Sequence, residues 1–203
     1  MAAFTAVRAV SDSIVGFLNA RHQTEGMPGE EGVRFAERYP ATIRLVSSGE
    51  LADDNATQSF EPALLLYLYR IGVNEQLRTA NRLGDQRRGP MHLDLHYMLS
   101  VWSSSADTEH TLMTWALRTI QDNPVLDSSF LSPEGMWERH DAIQLTPEEL
   151  TNEDLLRLWD GLVPSYRMSY TYVARVVTID PADPETYGNV IVRDITVRDE
   201  ERD

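Results

Sequence analysis

Apolar positions along the chain fall into three helical and six extended patterns. Residues 5–24 carry Val7, Val10, Ile14, Phe17 and Leu18 at helical spacing, and Gly26, Pro28 and Gly29 end the run. Residues 42–47 (TIRLVS) form a short strand with Ile43 and Leu45 on one side, and the acidic, polar stretch 48–61 reads as a loop. Residues 63–71 are apolar on both faces, with Leu64, Leu66 and Leu68 set against Leu65, Tyr67 and Tyr69. That is the pattern of a strand inside a covered sheet. Residues 91–102 alternate instead: Leu93, Leu95, Tyr97, Leu99 and Val101 point one way, and His92, Asp94, His96 and Ser100 the other. A strand with one ionisable face meets either water or a partner.

The turn-rich segment 84–89 (GDQRRG) predicts a hairpin that lays these two strands antiparallel. A helix over 105–122 follows, opened by Ser105 and Asp107 and carrying Leu112, Trp115, Ala116, Thr119 and Ile120 on one stripe. Pro124 closes it by pushing Asn123 out of helical geometry. Residues 62–123 are thus a sheet-and-helix centre around which the rest is arranged.

Downstream, 125–133 reads as irregular and 140–145 as an edge strand. Thr146-Pro147-Glu148-Glu149 has the signals of a helix start, repeated at Thr151-Asn152-Glu153-Asp154. The expectation is a short turn and then a helix over 152–163 burying Leu155, Leu158, Trp159 and Leu162. Residues 167–179 make a long strand with Met168, Tyr170, Tyr172, Ala174 and Val176 on one face, and 189–197 alternate as a last strand. The fold class is α+β, an antiparallel or mixed β-sheet with amphipathic helices packed on it. Residues 1–180 form the main domain and 181–203 a C-terminal strand and acidic tail.

Composition narrows the function classes. Hydrophobic content of 42% over 203 residues is globular, while a net charge of −14 disfavours nucleic acid and anionic membrane surfaces as partners. Without cysteine there is no disulfide, thiol catalysis or Cys-based zinc site. The opening MAAFTAVRAV lacks a signal-peptide pattern, so a cytoplasmic location is expected.

Candidate chemistry is sparse. His92, Asp94 and His96 share a strand face, with Glu109 or His110 as further metal ligands, but such a series spreads over ~13 Å, too far for one ion without a bulge. A polar sheet face or a subunit contact explains them better. No Gly-x-Ser-x-Gly elbow and no phosphate loop is present, and the chain has no lysine. No cofactor is implied. Trp102, Trp115 and Trp159 lie on apolar faces and belong to the core, whereas Trp137, in an acidic irregular stretch, is the tryptophan placed for a contact. Arg70 and Arg175 each interrupt an apolar strand, and a charge there needs a carboxylate, either one like Asp94 in the sheet or one across an interface. Arg87 and Arg88 sit together in the turn. The interface candidates are therefore Arg70, Arg87, Arg88, Asp94, His96 and Arg175.

Five blocks carry a resemblance: LLLYLYRIGVNEQLR (64–78), PMHLDLHYMLSVW (90–102), EHTLMTWALRTIQDNPVL (109–126), IQLTPEELTNEDLLRLWDGL (143–162) and SYTYVARVVTID (169–180). In order and spacing they resemble the Pvc16-type cap proteins of contractile injection systems. The resemblance implies a tail-terminator-like fold and a structural, non-enzymatic role. The family's ring, a hexamer of identical subunits, stops tube and sheath polymerisation at the end distal to the baseplate. Its implied partners are further copies of the chain and the sheath and inner tube proteins of a phage tail-like particle, which stays cytoplasmic or is released. Residues 189–203 lie outside the resemblance. Two other readings stay open, a small metal-dependent hydrolase using His92, Asp94 and His96, and a monomeric acidic adaptor for a basic partner.

Overall fold

The computed structural model describes residues 5–52, 62–74, 90–162 and 165–179. Six strands form one mixed sheet in the order β1-β2-β3-β6-β5-β4. They are β1 (Thr42–Val46), β2 (Ala63–Val73), β3 (Met91–Trp102), β4 (Val125–Leu126), β5 (Ile143–Glu148) and β6 (Ser169–Ile179). β1 runs parallel to β2, and every other pairing is antiparallel, including the expected pairing of β2 with β3. The turn residues 84–89 and the strand expected over 189–197 lie outside the described residues.

Three longer helices flank the sheet: α1 (Ala6–Thr24), α4 (Ala106–Asp122) and α5 (Asn152–Asp160). Two single turns, α2 (Phe35–Arg38) and α3 (Ser48–Leu51), separate α1 from β2. The stretch from 48 onward is therefore not all loop, because Ser47 and Glu50 satisfy each other's backbone amides in a capping box. Ser105 caps α4 by accepting from the Thr108 amide, as its sequence signal predicts.

The two faces of β2 feed two cores. Leu64 and Leu66 join Leu95, Tyr97, Leu99 and Val101 of β3 under Val10, Ile14, Phe17 and Leu18 of α1 and the Leu112–Ile120 stripe of α4. Tyr97, fully buried, hydrogen-bonds Ser11 at 2.8 Å. On the opposite face Ala63, Leu65, Met98 and Trp102 pack with Leu51 and with Trp159 of α5. The polar side of β3 is thus covered by the chain itself over much of its length: Ser100 is 2% exposed and His96 5%.

Several elements differ from expectation. Thr146–Glu149 does not open a helix. β5 runs through residue 148, and Thr151 is the cap that works, accepting from the Asp154 amide at 3.1 Å. A helix start is a local preference, and pairing along β6 from Gln144 to Glu148 overrides it. Nor is β5 the edge, since the two-residue β4 pairs beyond it within a stretch read as irregular. The register of β6 slips by one residue opposite Leu93–Leu95, and Val177 joins Tyr172 and Ala174 in the first core. Trp137 packs against the first core and donates to the Ser132 carbonyl, and a Cβ at Gly135 would run into its ring. It is not a free contact residue.

Leu95 and Ile71 face each other across β3 and β2, the first fully buried and the second 51% exposed. Leu95→Ala is expected to cost about 3 kcal/mol and Ile71→Ala less than about 1 kcal/mol, read from urea denaturation midpoints.

Candidate functional site

The sheet narrows at one end. β1 pairs with β2 only as far as Tyr67, and β5 pairs with β6 only between Thr171 and Arg175. Opposite Leu68–Ile71 the described sheet has lost β1 but still holds β2, β3, β6 and β5, and only at its tip, around Val73, Met91–Leu93 and Val177–Ile179, is it three strands wide. This narrow end has two unlike faces.

One face is ionic. A bulge in β2 between Leu68 and Arg70 brings both Tyr69 and Arg70 to the side of β3 that carries His96. The Arg70 guanidinium lies 3.0 Å from His96 Nε2 and 3.7 Å from Glu148 Oε1. His96 Nδ1 is 2.9 Å from both oxygens of Glu148. Arginine only donates, so Nε2 accepts from Arg70 while Nδ1–H donates to Glu148. The Tyr69 hydroxyl donates to Glu148 Oε2 at 2.5 Å. Burial pushes the Tyr69 phenol well above its ordinary value, and the bond to the Glu148 carboxylate pushes it further.

Beside this chain lies a second group. Asp94 accepts from Asn74 Nδ2 at 3.3 Å and sits 3.6 Å from Arg175 Nε. Arg70 and Arg175 therefore both find carboxylates within their own chain, and both remain half exposed or more, with side-chain exposures of 61% and 50%. Exposed pairs of this kind are worth less than about 1 kcal/mol each. Their effect is to fix side chains in place on a surface rather than to hold the fold.

The other face is apolar. Ile71 and Val73 stand opposite Leu95 and Leu93, on the side that α1 and α4 cover further along. With Met91, two positions beyond Leu93, they are each at least 50% exposed.

The sequence candidates separate accordingly. Arg70, Asp94, His96 and Arg175 come together on the ionic face. Arg87 and Arg88 lie outside the described residues. His92 turns to Thr178 Oγ1 at 3.1 Å, Asp94 to Asn74 and Arg175, and His96 to Glu148, so the three do not converge, and no metal-binding group of three forms among the described residues. Glu148, the hub of the ionic chain, was not legible. Its local sequence reads as a helix start, and only the pairing of β5 with β6 aims it at His96.

The site is thus an α+β scaffold whose helix-flanked mixed sheet presents, at one end, half-exposed arginines over a buried His96 on one face and apolar side chains on the other. The chain belongs to the Pvc16 N-terminal domain family, whose model matches residues 9–193. It is similar in structure to the sheath/tube terminator, in its extended state, of PVC, an extracellular contractile injection system. The TM-score is 0.53 with 17% identity, covering 87% of this chain and 57% of that one. It is similar also to the anti-feeding prophage cap, a tube terminating cap, with a TM-score of 0.54 and 21% identity over 86% of this chain and 55% of the other. The chain thus spans a little over half the length of either protein. No curated protein matches it. At these identities the likeness is one of fold, and the fold is that of tail terminators.

Glu148→Gln is expected to destabilise the protein by about 1–3 kcal/mol, because the amide sets an N–H donor where the carboxylate turns a second acceptor oxygen toward His96 and Tyr69. A pH series gives a second check. The folded Tyr69 phenol keeps its proton above the unfolded value near 10.0, so stability is full below that pH and falls above it. Tyr69→Phe should make the fall above pH 10 shallower by up to one proton's worth of slope.

Proposed function

We propose that this protein caps the end of a contractile injection system, closing as a ring of identical subunits, six in number, that stops tube and sheath growth. The observation that carries the reading is the match of the family model across residues 9–193, joined to a fold shared with two terminators. The action is assembly rather than catalysis. A growing tube end is a repeating open interface, and a closed ring that fits one side without offering a fresh copy of that side leaves nothing to extend.

The partners are sheath and inner tube proteins of the same particle, and the ionic face bearing Arg70, Asp94, His96 and Arg175 belongs to the contact surface, with Arg87 and Arg88 adjoining it in sequence. A net charge of −14 suits basic partner surfaces and disfavours nucleic acid. Among the described residues no helix is long and apolar enough to cross a membrane. The working location is the cytoplasm during particle assembly, with release as part of the particle afterwards.

Deleting the protein and measuring particles by negative-stain microscopy tests the role: tails should become ragged or overlong. Tails of normal, uniform length in the deletion strain would rule it out. Native mass spectrometry of the purified chain should show a six-subunit species.

A further inference from the structure

We infer that copies of the chain join through the backbone edges of the narrow end, the outer edge of β2 in one copy pairing with the outer edge of β6 in the next. The inference rests on the ring reading above and names the contact that closes it.

The sheet blocks its edges elsewhere. On β1 the Thr42 amide bonds toward β2, to the Pro62 carbonyl, so Ile43 points outward. Its carbonyl is taken at 2.9 Å by the Asn19 side chain from α1. On β5 the Leu145 amide points outward, to the Pro124 carbonyl. Two residues on, the same outward position is Pro147, which has no amide to offer. These are the usual guards against unwanted strand addition.

The narrow end lacks them. The Asn74 amide bonds the His92 carbonyl on β3, so by alternation Ile71 and Val73 aim their backbone groups away from the sheet. On β3, His92 bonds toward β2, so Met91 and Leu93 bond toward Ile179 and Val177, which leaves Thr178 aimed outward from β6. Among the described residues no strand lies against either edge, and neither edge carries proline there. The bulges sit at the root, near residues 69 and 176, and leave regular strand beyond them. Where β1 stops, an open groove of about 580 Å³ lined by Val7, Arg8, Leu45, Glu50, Tyr67 and Leu68 continues the β2 edge inward.

A second copy fits these edges. β2 and β6 are both antiparallel to β3, hence parallel to one another. Rotation about one axis therefore brings β6 of one copy beside β2 of the next with strand direction preserved. The two edges are unlike and lie on opposite sides of one unit, so the contact is head to tail and closes only as a ring. Chains of net charge −14 repel, and a contact made by backbone hydrogen bonds and the exposed Ile71, Val73 and Met91 needs no opposite charge.

Val73→Pro and Thr178→Pro each remove one outward amide, from opposite edges. Light scattering of the 203-residue chain should show rings for wild type, and monomers for each variant alone. Mixed, the two variants should form one-to-one dimers that grow no further, because each retains the edge the other has lost. Rings that persist in both variants overturn the edge contact while leaving ring closure intact; a wild-type chain that stays monomeric at all concentrations overturns ring closure itself. Amide exchange on the wild type covers the case of a variant that fails to fold. The amides of Ile71, Val73 and Thr178 should exchange at least tenfold more slowly in the ring than after dilution to monomer. Protection independent of concentration, as from a segment of the same chain lying on the edges, overturns the inference.

Discussion

Everything in this molecule follows from a mismatch of length between β3 and the helices that cover it. β3 is twelve residues long, paired with β2 on one side and β6 on the other along most of its length. Twelve residues of strand extend about 40 Å, whereas the seventeen residues of α4 extend about 25 Å. The sheet cannot be covered from end to end. Near Trp102 both of its faces are buried, by α1 and α4 on one side and by α5 on the other. Near Met91 the helices have run out, and the same alternation of residues that builds a core further along presents Ile71, Val73 and Met91 to solvent.

The ionic chain is the local answer to that exposure. A bulge turns Arg70 onto the face of His96, and β5 ends by delivering Glu148 to the same spot. The resulting series from Arg70 through His96 and Glu148 to Tyr69 ties side chains of β2 and β3 to β5, which lies across β6 from them. It contributes modestly to stability through its exposed members and more through the buried ones, and its main effect is to hold the protruding strands in one register. A surface that is to be recognised by an identical or similar partner has to be rigid before contact, or the ordering cost is taken from the affinity.

Much of this was legible in the sequence, and the exceptions share a cause. The bounds of β3, the capped start of α4 and the two-faced burial of β2 are all written in spacing along a single segment, which one sequence displays. The family resemblance, carried by ordered blocks, was readable for the same reason. What was not readable depends on pairing between distant segments. Glu148 belongs to a convincing helix start until β6 claims residues 144–148 as a strand. The slip that gives Val177 the core position is a property of two strands together and leaves no mark on either. The burial of His96 likewise depends on where β5 ends, 52 residues further along the chain and beyond the reach of any local periodicity. Of the candidate residues, the four on strands were found because a charge within an apolar run is conspicuous.

The width of the narrow end has a geometric corollary. In the proposed ring, six copies contributing three strands apiece would make eighteen, and eighteen strands about 4.8 Å apart would trace a circumference of about 86 Å if upright, more if tilted. That would enclose a passage about 27 Å across between backbones, widening to about 35 Å at the tilts barrels adopt. The diameter of such an opening would be set by the number of strands that outrun their helices, and so, in the end, by where α4 stops.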